Sequence, residues 1–383
     1  MKLIYRTVLD IIRSEIAGTD YNLKKEFTQE ELREIFTLSK KHDLAHIIGD
    51  YLLKNDIIKN EKIKSYFENE ILTAQYRYVN MDEESKNIYA VLESQATAYV
   101  PLKGAVIRGF YREPWMRTSC DIDVLVREND AAKIAKELVK THGYVNKGKN
   151  YHDISLFSPS EVHLELHFSV CEDNETLDRV LKKAWDYAER RENSYRFDFT
   201  AEYFLFYIIA HASYHFLSGG GCGIKPLIDL WLLQKALNYD KEELNVLLKA
   251  GGIDKFYSYI KNLINIWFEN GKEDDFSEKL TEYIFIGGVY GAKGESIKNA
   301  KRKKSRFRYY MERIFLPYNK MCINYHVLKK VKILLPFCWV ARWFTLLNKE
   351  KRCKAKEEIR LEKQINDATL RERREFLDKL GLY

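Results

Sequence analysis

The sequence predicts an α+β fold, a small mixed sheet set between an N-terminal and a C-terminal helical region. Three observations predict it. Apolar residues recur at helical spacing through the first 96 residues and again from residue 173 onward. Between these stretches, residues 97–172 change to short apolar runs bounded by turn residues, the mark of a compact α/β unit. Finally, 46% of the 383 residues are hydrophobic, enough to bury sizeable cores on both sides of a sheet. The expected regions are therefore 1–96 (helical), 97–172 (sheet-containing core), 173–300 (helical) and 301–383 (helical and basic).

The elements follow in order. "MKLIYRTVLDIIRSEIAG" breaks its apolar run with Asp10, Arg13 and Glu15, so it reads as an amphipathic helix and not as a signal peptide. "TQEELREIFTLSKKHDLAHIIGDYLLK" opens on Thr28 with Glu31 three residues later, a capping-box pattern. Leu32, Ile35, Phe36 and Leu38, then Leu44, Ile47, Ile48, Leu52 and Leu53, continue at helical spacing. Residues 62–96 extend the pattern as one or two long helices. "TAYVPL" then reads as a strand, "GAVIRGFY" as a short helix, "CDIDVLV" as a strand, and "ENDAAKIAKELVKTHG" as a helix stopped by Gly143. "YHDISLFS" and "EVHLELHFSV" read as a hairpin around the Pro-containing turn "SPSE". "AEYFLFYIIAHASYHFL" is apolar on nearly every face and predicts a buried helix. A Gly-rich loop, "SGGGCGI", separates it from the helix "KPLIDLWLLQKAL".

Composition excludes several classes. The six cysteines (120, 171, 222, 322, 338, 353) are scattered without a C-x-x-C pair, which argues for reduced thiols in a cytoplasmic protein and against a disulfide frame or zinc site. The most apolar late stretch, "ILLPFCWVARWFTLL", has 15 residues and contains Pro336 and Arg342, too short and too interrupted to span a membrane. Charge is uneven. Residues 301–383 hold 23 Lys and Arg against 9 Asp and Glu, a net +14; the whole chain is +7, so the first 300 residues carry −7. Such a basic region either meets nucleic acid, acidic lipid or an acidic partner, or forms a solvated helical face that balances an acidic body.

The residues that carry chemistry lie in the sheet unit. Asp121 and Asp123 are two apart in a strand and so share a face. Like charges that close repel unless a cation sits between them, so the pair is either solvated or holds a metal. Ile122, Val124, Leu125 and Val126 make the strand read as buried, where an uncompensated carboxylate pair costs several kcal/mol. Lys103-Gly104-Ala105 falls at a strand-to-helix junction, where a glycine admits a close ligand and free N–H groups favour phosphate. In "VHLELHF", His163, Glu165 and His167 share one face, and Asp153 lies on the preceding strand, so both Glu165 and Asp153 are candidate carboxylates. His167 either touches a ligand or hydrogen-bonds behind the site. Arg117 suits phosphate oxygens, with a structural ion pair as the alternative. His211 and His215, spaced i and i+4, form either a metal-binding pair or a pocket wall. The loop Gly219–Gly223 is either a phosphate cradle or a connection, and Lys225 and Asp229 start a helix that can face the cleft.

Taken together, "LKG", "DIDVLV" and "LELHF" resemble the nucleotidyltransferase superfamily typified by DNA polymerase beta and kanamycin nucleotidyltransferase. More narrowly, the chain resembles the bacterial uncharacterised nucleotidyltransferases, with the helices "KKHDLAHIIGDYLL" and "DLWLL" also similar. The resemblance implies a nucleotidyltransferase core that moves a nucleoside monophosphate from an NTP such as ATP to an acceptor hydroxyl or amine and releases pyrophosphate. It implies Mg²⁺ (or Mn²⁺) held by Asp121, Asp123 and Glu165, with Lys103, Gly104, Ala105, Arg117 and His167 around the nucleotide. The acceptor stays open among a small molecule, a protein and RNA, and a tRNA-directed toxin or an inactive nucleotide-binding protein are the alternatives. Two departures stand out: Ala105 replaces a small hydroxyl residue, and the sixteen residues between Gly104 and Asp121 are longer than usual for the superfamily.

Overall fold

The computed structural model describes residues 1–18, 26–172, 174–289, 291–301, 306–344 and 349–382. The first region folds as four helices, α1 (Leu3–Ala17), α2 (Gln29–Lys41), α3 (Ala45–Lys54) and α4 (Glu61–Ser94). The capping box at α2 forms in full: Thr28 Oγ1 accepts the Glu31 N–H at 3.2 Å, and Glu31 Oε2 accepts the Thr28 N–H at 2.9 Å. Helix α4 runs unbroken for 34 residues because no Gly or Pro interrupts it. Ile63, Phe67, Ala74, Met81 and Ile88 keep one buried stripe along it. Its first half packs into the helical body and its last half onto the sheet.

The next segment supplies β1 (Tyr99–Pro101), α5 (Gly104–Ile107), β2 (Asp121–Val126), α6 (Glu128–His142), β3 (Val145–Lys149), β4 (Asp153–Phe157) and β5 (His163–His167). The sheet order is β1-β2-β5-β4-β3, with β2 and β5 parallel and the other neighbours antiparallel. Period 2 divides each strand between two environments. Ile122, Val124, Val126, Ile154, Leu156, Leu164 and Leu166 pack against α6 and the end of α4. The opposite face carries Asp121, Asp123, Glu165 and His167 and looks toward the helical body. The β4–β5 hairpin matches the sequence expectation. Strand β3 does not appear in that reading, since all five of its residues are exposed and no apolar alternation marks it.

The chain continues through α7 (Glu175–Leu181), the two-stranded β6 (Ala188–Arg190) and β7 (Phe197–Phe199), and then α8 (Ala201–Ser218), α9 (Lys225–Ala236), α10 (Lys241–Ala250), α11 (Asp254–Phe268), α12 (Asp275–Gly287) and α13 (Lys293–Lys301). Every residue from Tyr203 to Ala210 of α8 is buried, as its all-round apolar sequence predicts. One apolar cluster joins α1–α3 to α8–α12 and takes in Leu377, Leu380 and Leu382 near the C-terminal end. A small separate cluster holds Met321, Cys322, Leu328 and Cys338. The loop Gly219–Gly223 packs backbone to backbone against residues 287–289 and 291–292, and a Cβ on Gly220 would collide with the backbone of Ala292 and Ser296. It is a tight connection. All six cysteines are free thiols. Among the described residues, no helix is long and apolar enough to cross a membrane.

Candidate active site

The parallel pairing of β2 with β5 builds the site. In this register Asp121 lies opposite His163, Asp123 opposite Glu165, and Leu125 opposite His167. Three carboxylates from two adjacent strands therefore converge on one face. Asp121 and Glu165 open onto a cleft of about 660 Å³ whose floor also includes Lys103 and His167 and whose far wall includes Tyr207, His211, Tyr214 and His215 of α8, while Asp123 is buried.

Asp123 is the hub. Its side chain is only 4% exposed, Lys103 Nζ donates to its Oδ1 at 3.1 Å, and His167 Nε2 donates to the same oxygen at 2.8 Å. His167 Nε2 also lies 3.3 Å from Glu165 Oε2. Burial disfavours the Asp123 charge, but Lys103 and His167 outweigh it and hold the carboxyl well below the usual range. Burial likewise opposes the charge on His167, yet its hydrogen bonds to Asp123 and Glu165 push it up to about 9. Glu165 is lowered, first by that hydrogen bond. Asp121 behaves differently, because burial and the Asp123 charge push it up to about 6.

Lys103 itself sits in a strained backbone conformation, φ 39° and ψ −117°, directly before α5. A non-glycine residue held there marks a position that the surroundings over-determine. The turn aims its ammonium at Asp123, and that charge keeps it protonated well above the ordinary lysine value despite burial. Gly104 follows with its Cα against Ser119, where a Cβ would lie 3.1 Å from Oγ. Ala105 donates its N–H to Leu102 O at 3.2 Å.

The donor set fits a hard divalent cation. Ligand atoms of Asp121, His163 and Glu165 lie within 4.8 Å of one another, as do those of Asp123, Glu165 and His167. A cation there would relieve the repulsion that raises Asp121. The rival carboxylate, Asp153, is 2% exposed and lies opposite His167 on the same sheet face, one strand further from Asp121 and Asp123; its ligand atoms group within 4.8 Å with those of His152 and His167, Asn150 Nδ2 donates to it at 2.9 Å and His152 Nε2 lies 3.3 Å from it.

A family model described as uncharacterised nucleotidyltransferase matches residues 28–269, more than half of the chain. The chain belongs to this nucleotidyltransferase family. Searches of curated proteins and of solved structures give no match. The activity class of the protein is thus nucleotidyl transfer.

The nucleotidyltransferase places the remaining candidates unevenly. Arg117 makes a bidentate pair with Asp229, Nε to Oδ1 at 2.7 Å and Nη2 to Oδ2 at 2.8 Å, and Tyr111 Oη donates to Asp229 Oδ1 at 2.7 Å. Lys225 pairs with Asp43 and donates to Thr118 Oγ1 at 2.6 Å. His46 Nε2 donates to Met116 O at 2.9 Å. These contacts clamp the long segment before β2 between the α2–α3 turn and α9. His163 turns to Ser155 Oγ at 2.8 Å and stacks on Phe157. His211 and His215 do line the cleft, and the loop Gly219–Gly223 is not among its walls. Glu172, a wall residue bonded to His211 at 2.6 Å, escapes the sequence reading, because an acid in an irregular segment carries no periodicity to place it.

Proposed function

We propose that this nucleotidyltransferase moves a nucleoside monophosphate from an NTP, ATP among them, to an acceptor hydroxyl or amine, with pyrophosphate as the second product. One observation carries the reading: Asp121, Asp123 and Glu165 share a face across a parallel strand pair, and Asp121 and Glu165 line the floor of a cleft. These three would hold Mg²⁺ or Mn²⁺, as in the polymerase beta-like superfamily that the motifs resemble. When bound, such a cation neutralises charge on the triphosphate and lowers the pKa of an acceptor hydroxyl. The protein's own residues do the rest. Lys103 brings a fixed positive charge to the phosphate end of the site, and Gly104 lets the triphosphate approach the backbone. His167 keeps Asp123 ionised and oriented. The bidentate bond to Asp229 gives Arg117 a positioning role ahead of direct phosphate contact.

The net +14 of residues 301–383 supports RNA as one acceptor class, and RNA binding that weakens steeply with salt would distinguish it. The deciding experiment is transfer from each α-³²P-labelled NTP, with Mg²⁺ or Mn²⁺, to the protein itself, to bulk tRNA and to a cell extract, beside an Asp123→Ala variant. Label that appears only with the unmodified protein supports the reading and identifies the acceptor. Calorimetry that detects neither metal-dependent nucleotide binding nor transfer overturns it.

A further inference from the structure

We propose that the cleft wall opposite the three carboxylates is the acceptor subsite, and that His211, oriented by Glu172, takes the proton from an acceptor hydroxyl. This rests on the nucleotidyl-transfer reading above and adds a residue pair and an acceptor class to it.

Helix α8 buries an unbroken run from Tyr203 to Ala210, and the next turn, with His211 and His215 on one face, borders the cleft. A helix committed to the core would place apolar side chains there. Glu172, in the segment after β5, sets the imidazole: its Oε1 lies 2.6 Å from His211 Nδ1. A carboxylate can only accept, so Nδ1 carries the proton and Nε2 keeps its lone pair. Among the described residues no protein group takes Nε2. The His215 ring meets the His211 ring edge-on at 4.4 Å and fixes its tilt.

The electrostatics suit a base. Facing His211 are Glu172 from the segment after β5, Lys103 from the turn before α5, Asp123 from β2, and His215 and Tyr207 from α8 itself. Burial and the Lys103 charge together outweigh Glu172 and Asp123, so the imidazole sits below its ordinary value and is neutral near pH 7. Glu172 is held below the usual carboxylate range, chiefly because its bond to His211 outweighs burial. This is the arrangement of a base positioned by a carboxylate.

The step balances. The acceptor oxygen attacks the α-phosphorus and an O–P bond forms. The bond from the α-phosphorus to the bridging oxygen breaks, and pyrophosphate leaves with the electron pair. The acceptor proton passes to His211 Nε2, and Glu172 stabilises the imidazolium. A hydroxyl needs its proton removed as the bond forms, whereas a neutral amine attacks first and sheds its proton readily afterwards, so a general base points to a hydroxyl acceptor.

Two measurements on the full chain test this. The first is the ¹⁵N imidazole spectrum at pH 7, with the His211 signals assigned by their loss in His211→Asn. The Nδ1–H tautomer is expected; an Nε2–H tautomer or an imidazolium overturns the proposal whether or not turnover is seen. The second uses water as the hydroxyl acceptor and follows release of AMP from α-³²P-ATP with Mg²⁺. His211→Ala and His211→Asn should each lower the rate by about 10²–10⁴-fold, the range for a general base. They should leave calorimetric affinity for the Mg²⁺ complex of α,β-methylene-ATP within twofold, and added imidazole should restore part of the His211→Ala rate. Glu172→Gln should fall between and shift the acid limb of the pH–rate profile. Rates within threefold of the unmodified protein in both His211 variants, with Asp123→Asn inactive, overturn the dyad and leave the transfer reading standing. A protein that binds neither metal nor nucleotide removes both.

Discussion

At the scale of the residue, the site turns on how three carboxylates are kept close. Asp123 survives as an ion because Lys103 and His167 share its Oδ1, while at Asp121 burial and the Asp123 charge outweigh the more distant Lys103 and push it toward neutrality at about 6. This difference argues for a cation as the missing partner of Asp121. Asp123→Asn is expected to lower nucleotidyl transfer by about 10²–10³-fold or more, the cost typical of removing a preorganised electrostatic contact. It should also abolish the rise in thermal midpoint that Mn²⁺ gives the unmodified protein. A differential scanning measurement with and without metal checks both halves, and an equal rise in the variant would place the cation elsewhere. The carboxylates were legible in the sequence because period 2 alone decides which face a strand residue takes. The partners of Arg117 were not, because Asp229 lies 112 residues away and no local rule connects them.

At the scale of the element, the unusual feature is the long connection between α5 and β2. The β1–β2 ladder already holds the aspartates beside Lys103, but a loop of this length would by itself be free to wander. Instead it is fixed by the largely buried Arg117–Asp229–Tyr111 group and by the half-buried Asp43–Lys225–Thr118 group. Removing one partner of a buried pair leaves the other charge stranded, so Arg117→Met should destabilise the protein by about 3–5 kcal/mol, and Asp229→Ala similarly. The double variant should lose much less than the sum of the two, since each single change leaves a charge that the other removes. Urea denaturation of the four proteins gives the coupling. A simple addition of the two losses would mean that Arg117 is not engaged with Asp229 in solution, and would return it to the phosphate. The capping box at Thr28 was readable from spacing alone, and Thr28→Ala should cost about 1 kcal/mol. Strand β3 was unreadable because it is a polar edge whose pairing with β4, and not its sequence, makes it a strand.

At the scale of the molecule, one core runs from α1 through α12 and back to Leu382, and two histidines are sealed inside its seams. His42 Nε2 donates to Phe285 O at 3.1 Å and ties the end of α2 to α12, while His46 Nε2 holds Met116. Neither borders the cleft. Each is pushed down to about 4, in both cases first by burial, and among the described residues the buried Nδ1 of His42 has no partner for an added proton. The sign follows directly. The unfolded chain binds these protons near the ordinary value of about 6.5 and the folded chain does not. Their contribution to stability is therefore complete above that value and is lost as the pH falls toward 4, by up to about 3 kcal/mol for each residue. Asp121 works in the opposite direction over part of this window, because the folded state takes up its proton near 6 and gains from it. The experiment is thus best run on Asp121→Asn, which removes that opposing group. In this background, stability from urea titrations should fall steadily between pH 6.5 and 4.5. His42→Gln and His46→Gln, each less stable at neutral pH than the background, should each show a distinctly shallower fall over the same interval. If both variants keep the full slope, the acid sensitivity lies in other groups and the two histidines are not held neutral in the folded protein.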